Sequence, residues 1–354
     1  MSRFFSSTHS LLTPYTPGEQ PRDRRYIKLN TNESPFPPSE RATAEAAEAL
    51  SRVALYPDPT MKALREEFAA AIGVPPECVL PTNGSDEILS FAFSAYCDAD
   101  TPAVYPDITY GFYSVFAELY GVRSRVIPLR PDMTVDPDDY IGAGGTVFLA
   151  NPNAPTGIAL PLRQIRRILE GNPDHVVVVD EAYVDFGAES AVSLIGQYPN
   201  LLVTQTFSKS RSMAGARLGF GIACPALIAD LDTIKYSQNP YNVNSVTAAL
   251  GIGTLRDPDY TKRNCQKIAE VREWVKTELS AMGFAVTPSV ANFVFCAHPR
   301  IEGEALYTAL RERGILVRHF KTPRIASYNR VTVGSRREMQ AFLDAIRSIL
   351  EETL

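Results

Sequence analysis

Several residue types and patterns are scarce in this chain. In 354 residues there are 5 cysteines, 4 histidines and 1 tryptophan. Cys78, Cys97, Cys224, Cys265 and Cys296 are scattered, odd in number and never spaced C-x-x-C. That excludes a disulfide framework or thiolate cluster and fits reduced thiols in the cytoplasm. The four histidines lie far apart, so no metal is expected either. Basic excess is also missing. Lys+Arg is 35 and Asp+Glu is 40, a net charge of −5, which argues against a nucleic-acid or anionic-membrane surface. A local pocket for a small anion remains open. The longest apolar stretch, Ile88 to Cys97, is too short to span a bilayer and reads as a buried helix. Met1 to Ser10 is polar and lacks the apolar core of a secretory signal, so a cytoplasmic location is expected.

Motifs are absent as well. There is no G-x-x-x-x-G-K-[ST] and no G-x-S-x-G. Gly142-Ala143-Gly144-Gly145 precedes an apolar run, whereas a dinucleotide fingerprint must follow one.

What is present is an ordinary globular composition, 45% hydrophobic and 21% charged. The length suggests two domains. Residues 1–40 read as an extended arm with a short strand at Tyr26 to Leu29. Residues 41–256 form the expected large domain. A helix is predicted over Glu40 to Val53, and another after Thr60 as N-cap, closed by Gly73. Short apolar runs then recur at Val79, Ala103 to Tyr105, Thr146 to Ala150, Val176 to Val179, Leu201 to Thr206 and Leu218 to Ala223. Valine-rich runs without alternation suit strands buried on both faces. Alternation with helices implies an α/β fold with a mostly parallel, doubly wound sheet. Residues 257–354 read as a smaller α+β domain. It has a long helix to Gly283, strands near Phe284 to Val286, Phe293 to Cys296, Leu316 to Arg318 and Arg330 to Val333, and a last helix opened by a Ser335/Glu338 capping box.

Polar residues collect after the central runs. Asn83-Gly84-Ser85-Asp86 follows the first, and Pro106 to Tyr110 the second. Asn151 to Gly157, Asp180-Glu181-Ala182-Tyr183 and Phe207-Ser208-Lys209 follow the next three, with Arg217 eight residues beyond Lys209. In open α/β sheets, ligands bind outside the carboxyl ends of the strands. Each loop alone has an ordinary reading, as a turn, a cap or a solvated charge. Together they offer a helix N-terminus for an anion, a buried carboxylate, an amine and a guanidinium. A ligand with a phosphate, a basic ring nitrogen and a carbonyl would use all four, and pyridoxal phosphate is such a ligand. A lysine can form a Schiff base with its aldehyde, and an aspartate can keep its ring nitrogen protonated.

The same segments carry a resemblance. Asn151-Pro152-Asn153-Ala154-Pro155-Thr156-Gly157, Asp180-Glu181-Ala182-Tyr183 and Ser208-Lys209 to Arg217 are similar, in order, to motifs of the fold-type-I pyridoxal-phosphate aminotransferases. Leu12-x-Pro14-Tyr15, Leu29-Asn30-x-Asn32-Glu33-x-Pro35, Tyr56-Pro57-Asp58, Gly314 to Arg318 and Arg330 to Gly334 resemble the histidinol-phosphate aminotransferase branch. Aromatic-amino-acid aminotransferases and threonine-phosphate decarboxylases share much of this pattern and stand as the alternatives, while the expected substrates are histidinol phosphate and 2-oxoglutarate. The resemblance implies an aspartate-aminotransferase-like fold and pyridoxal 5'-phosphate as cofactor. It implies that Lys209 carries the cofactor, Asp180 meets the ring nitrogen, Tyr183 and Asn153 its phenolic oxygen, and Tyr110 its ring face. Gly84, Ser85 and Asp86 would present donors to the phosphate, with Ser208 and Arg217. Tyr56 would reach the phosphate of the neighbouring subunit of a homodimer. Arg330, with Arg318 and Tyr15, would hold the anionic end of the substrate. The expected reaction joins a small-molecule amino donor and a keto-acid acceptor.

Overall fold

The computed structural model describes residues 2–10 and 12–353. Its largest sheet has seven strands. In spatial order they are Val79–Thr82, Gly219–Ala223, Leu201–Thr206, Val177–Asp180, Thr146–Ala150, Ala103–Pro106 and Ser124–Ile127. All neighbours are parallel except Gly219–Ala223, which runs antiparallel to both of its partners. The inner strands Val177–Asp180 and Leu201–Thr206 are buried along their whole length, as expected of runs without alternation.

The period-2 geometry of the strands divides their side chains between two cores. Val147, Val177, Val179, Leu201 and Val203 face Leu64 and Phe68 of the helix Lys62–Ile72 and Ile165 and Ile168 of the helix Leu162–Glu170. Phe148, Val178 and Leu202 face Ile88, Phe91 and Phe93 of the helix Ser85–Tyr96. Helices on both faces leave the strand ends as the open edge of this layered unit.

The C-terminal part builds a four-stranded antiparallel sheet in the order Arg318–His319, Tyr328–Thr332, Phe293–Ala297, Ala285–Val286. Val275, Leu279, Leu306, Phe342 and Ile346 form its core with the helices Pro258–Ala281, Gly303–Glu312 and Arg336–Thr353. The N-terminal segment joins this unit as a strand, Ile27–Lys28, parallel to Ile315–Leu316. No helix among the described residues is long and apolar enough to cross a membrane.

Several local expectations need correction. The run Leu316 to Arg318 is not one strand. Ile315–Leu316 pairs with Ile27–Lys28, whereas Arg318–His319 joins the four-stranded sheet, so the chain changes partners at Val317. Thr60 does not cap its helix. Met61 takes the cap position at φ 49°, and the Asp58 carboxylate accepts from Thr60 N at 2.9 Å and Lys62 N at 3.0 Å. A carboxylate two residues upstream, already oriented by the Thr60 hydroxyl at 2.7 Å, serves those amides instead. The helix at Glu40 ends at Ala49 and tightens into a 3₁₀ turn, Leu50–Arg52.

The Ser335 capping box forms as expected. Ser335 N and Oγ both donate to Glu338 Oε2 at 2.7 Å, and Glu338 N donates to Ser335 Oγ at 3.3 Å. The substitution Ser335→Ala should lower stability by about 1 kcal/mol, read as a lower midpoint in urea unfolding. An unchanged midpoint would show that packing of Met339 and Phe342 alone holds the last helix.

Candidate active site

The polar loops converge. A cavity of about 90 Å³ at the carboxyl ends of the strands is lined by residues from all five loops, among them Ser85, Tyr110, Ala154, Asp180, Ser208 and Lys209. It shares Tyr110, Ala154, Tyr183 and Lys209 with a larger cleft of about 480 Å³, whose far wall carries Tyr15, Arg318 and Arg330. A larger hollow of about 1040 Å³ lies elsewhere, near Pro75 and Gly196, and holds none of these groups.

One end of the cavity is an anion cradle. Ser85 opens the helix Ser85–Tyr96, whose first amides have no intrahelical acceptor. Two glycines make the approach. A Cβ on Gly84, at φ +81°, would stand 2.7 Å from Arg217 Nη2, and one on Gly219 would stand 2.4 Å from Gly84 C and Ser85 N. Arg217 turns in with φ 57° and donates from Nη1 to Ser208 Oγ at 3.3 Å and from Nη2 to Asp86 Oδ2 at 3.0 Å. Asp86 is expected to offer a backbone or side-chain donor to the phosphate, but its side chain is occupied otherwise. Its carboxylate accepts, from Arg217 and from the Tyr110 hydroxyl at 2.7 Å. It steers those two residues, and only its backbone N–H is left to offer to an anion.

Across the cavity, Asp180 ends the strand Val177–Asp180 and is buried. The Tyr113 hydroxyl donates to Oδ2 and Ala182 N to Oδ1, both at 3.3 Å. Burial, and then the charge of Asp86, push its carboxyl up to about 7. Lys209 follows the strand Leu201–Thr206 and donates from Nζ to Thr31 O at 3.0 Å. Burial and then the Arg330 charge pull its amine down to about 8, against the charges of Glu33 and Asp86. The Tyr183 hydroxyl accepts from Asn32 Nδ2 at 3.0 Å. Asn153 spends its Nδ2 on Ile108 O at 3.0 Å and Thr156 Oγ1 at 3.1 Å, leaving Oδ1 as its unpartnered atom.

In the cleft, Arg318 and Arg330 stand directly opposite on paired strands. Like charges in that position are destabilising unless an anion comes between them. Arg330 Nη2 donates to Asn30 O at 3.2 Å, and its buried Nε has no partner. Arg318 donates to Thr16 O at 3.0 Å and Pro17 O at 3.2 Å. The Tyr15 ring stacks on Phe112 with centroids 4.4 Å apart. Tyr56 stands apart from this chain's cavity. It is 82% exposed and stacks on Tyr241 at 4.5 Å.

Sequence reasoning missed three contributors. Tyr113, which reads as a core aromatic in its helix, is the hydroxyl donor to Asp180. Thr31 and Asn32 meet Lys209 and Tyr183 directly. Their one signal was a polar N-x-N-E run following a short strand.

A doubly wound sheet with a lysine, a buried carboxylate and an anion cradle at its strand ends defines an enzyme of amino-group chemistry. Residues 24–346 match the family model of class I and II aminotransferases, and the chain belongs to that family. The histidinol-phosphate aminotransferase of a Marinomonas species is 48% identical over 354 residues, covering 99% of this chain and 100% of that protein. The histidinol-phosphate aminotransferase of Acetobacter pasteurianus is 49% identical over 352 residues, covering 99% of each. A solved histidinol-phosphate aminotransferase from Sinorhizobium meliloti, in complex with pyridoxal-5'-phosphate, superposes with a TM-score of 0.84 at 24% identity over 92% of either chain. The fold is aspartate-aminotransferase-like.

Proposed function

We propose that the chain is a cytoplasmic, homodimeric, pyridoxal-phosphate-dependent enzyme that moves the amino group between histidinol phosphate and 2-oxoglutarate. The observation that carries the substrate choice is the pair Arg318 and Arg330, opposed across two strands in the cleft that opens onto Lys209. A phosphate monoester is a dianion and can use two guanidinium groups. The 48–49% identity to histidinol-phosphate aminotransferases over nearly the full chain supports the same choice.

The residues fit the cofactor. The Ser85 end of the helix Ser85–Tyr96, Ser208 and Arg217 suit its phosphate, Asp180 its ring nitrogen, and the Tyr183 hydroxyl its phenolic oxygen. When bound, pyridoxal phosphate supplies an electron sink and a temporary carrier for the amino group. Lys209 would hold it covalently, and its free amine would carry the proton removed from the substrate Cα. Asp180 would lend its carboxylate to the ring nitrogen, whose positive charge would offset the burial that raises this carboxyl. Tyr110 lies along one wall, fixed through its hydroxyl to Asp86. Arg330 receives the phosphate of one substrate and the carboxylate of the other in turn, since the guanidinium fork suits both. The large unit, 41–256, and the small unit, 257–354, flank the site, with the arm, 1–40, crossing between them. Tyr56 serves the partner subunit's site, a role supported by its exposure beside exposed Leu50, Val53 and Leu55.

The test is kcat/KM for histidinol phosphate, phenylalanine and glutamate in two variants. Arg318→Ala should cost histidinol phosphate about tenfold to a hundredfold and the others little, the range for a hydrogen bond to a charged group. Arg330→Ala should harm all three. Arg318 already satisfies two arm carbonyls, an observation that favours an aromatic-amino-acid enzyme with one substrate arginine. Equal losses in Arg318→Ala, or a wild type preferring phenylalanine, would decide for that reading.

A further inference from the structure

Three consecutive residues of the segment after Ile27–Lys28 each hold a different part of the site. Asn30 O accepts from Arg330, Thr31 O from Lys209, and Asn32 Nδ2 donates to Tyr183. Asn30 and Asn32 are anchored to their surroundings. Asn30 Nδ2 donates to Glu19 O at 2.8 Å, Asn32 N to Thr332 Oγ1 at 2.9 Å, and Asn292 Nδ2 to Asn32 O at 2.9 Å. Thr31, between them, is held by its side chain. Lys28 Nζ donates to Thr31 Oγ1 at 2.7 Å, Thr31 Oγ1 donates to Glu33 Oε2 at 2.8 Å, and Lys28 closes the triangle as an ion pair with Glu33. The arm packs against the same residue at Gly18, where a Cβ would come within 2.6 Å of Thr31 Cγ2.

We propose that Lys28, Thr31 and Glu33 are positioning residues that hold the Thr31 carbonyl against the Lys209 amine and so aim that amine into the cavity. The inference rests on the reading of Lys209 as the cofactor-bearing, proton-moving group. A carbonyl oxygen only accepts. It takes one N–H of a neutral amine and leaves the lone pair free to point elsewhere. A lysine without such a tether samples many rotamers, and the bond-forming geometry is reached more rarely. A carboxylate in direct contact would instead keep the amine protonated. Glu33 avoids this because Lys28 and Thr31 occupy it. Its charge still reaches Lys209 and favours the ammonium, as does that of Asp86. Arg330 and Arg217 oppose them, and Asp180 faces the same amine across the cavity. Lys28 lies behind Glu33 and offsets its charge.

The experiment uses the full-length, cofactor-free chain and formaldehyde with cyanoborohydride as probe. Methylation at Lys209 is read by peptide mapping as a function of pH. The wild-type midpoint should lie near about 8. Glu33→Gln should lower it by about one pH unit, and Lys28→Met should raise it by a similar amount. Opposite shifts are not what general loosening of the arm would give. In the loaded enzyme, Glu33→Gln should lower kcat about tenfold at unchanged donor KM. Shifts of the same sign, or none, overturn the proposal. So does a raised KM at unchanged kcat, which would put the segment's effect on Arg330. Should Glu33→Gln fail to fold, the sign of the Lys28→Met shift alone decides. A wild-type Lys209 that is never methylated would sink the reading of Lys209 itself, a result distinct from methylation indifferent to both variants.

Discussion

Lys209→Ala is expected to abolish amino transfer, by about 10⁴-fold or more, while the chain stays folded and still takes up the cofactor. On the proposed function, the loss would combine two functions in one side chain, the covalent tether and the proton carrier at the substrate Cα. The next lysine along the chain is already committed. Lys235 is buried, but its amine donates to Pro59 O at 3.0 Å and pairs with Asp232 at 2.8 Å. Lys209 has one weakly competing partner, the Thr31 carbonyl. Borohydride reduction of the loaded protein and peptide mapping should therefore tag Lys209, and a tag on Lys235 would remove the assignment. A pH dependence follows. With its amine pulled down to about 8, cofactor loading should accelerate as pH rises through that value, because the neutral amine is the nucleophile. A rate still climbing at pH 10 would mean an ordinary surface lysine. Added methylamine should restore part of the activity of Lys209→Ala, since the cavity keeps its other groups.

Much of this was readable from residues alone, for a physical reason. Strands buried on both faces carry apolar runs without alternation, so residues 177–179 and 201–203 stand out from their surroundings. Polar groups in the loops immediately after them then have only the strand ends to occupy. What stayed hidden has equally concrete causes. Ser124–Ile127 is an edge strand with three exposed residues, and it carries no apolar run. The role of Asp86 depends on Arg217, 131 residues away, and no local pattern reports that pairing. The opposition of Arg318 and Arg330 is a matter of register, which becomes definite only once both strands are laid side by side. The arm's contacts with Lys209 and Tyr183 span 178 and 151 residues, and such long-range polar bonds leave only ordinary Thr and Asn residues in the sequence.

Asp180→Asn should lower the rate of amino transfer by about two to four orders of magnitude without unfolding the chain. An amide cannot hold a ring nitrogen protonated, so the electron sink weakens while the shape of the side chain is kept. Stability separates this from a structural role. Asp180 is buried, and its carboxyl is pushed up to about 7 from an ordinary value near 3.8. Between those two values the folded cofactor-free chain binds more protons than the unfolded chain, so this group makes stability fall as pH rises across that window. Above about 7 the folded state carries a buried charge that accepts hydrogen bonds from Tyr113 and Ala182, each at 3.3 Å, with the Lys209 charge across the cavity. Asparagine has no such charge. The cofactor-free Asp180→Asn chain should accordingly gain on wild type between pH 4 and pH 8, measured by urea unfolding at each pH. A carboxylate placed for strand-end architecture would behave in the opposite way. Its replacement would cost stability at pH 8 and leave the turnover of the folded fraction near that of wild type. Lost activity with stability equal to or above wild type at pH 8 assigns Asp180 to the chemistry, at the expense of the fold that carries it.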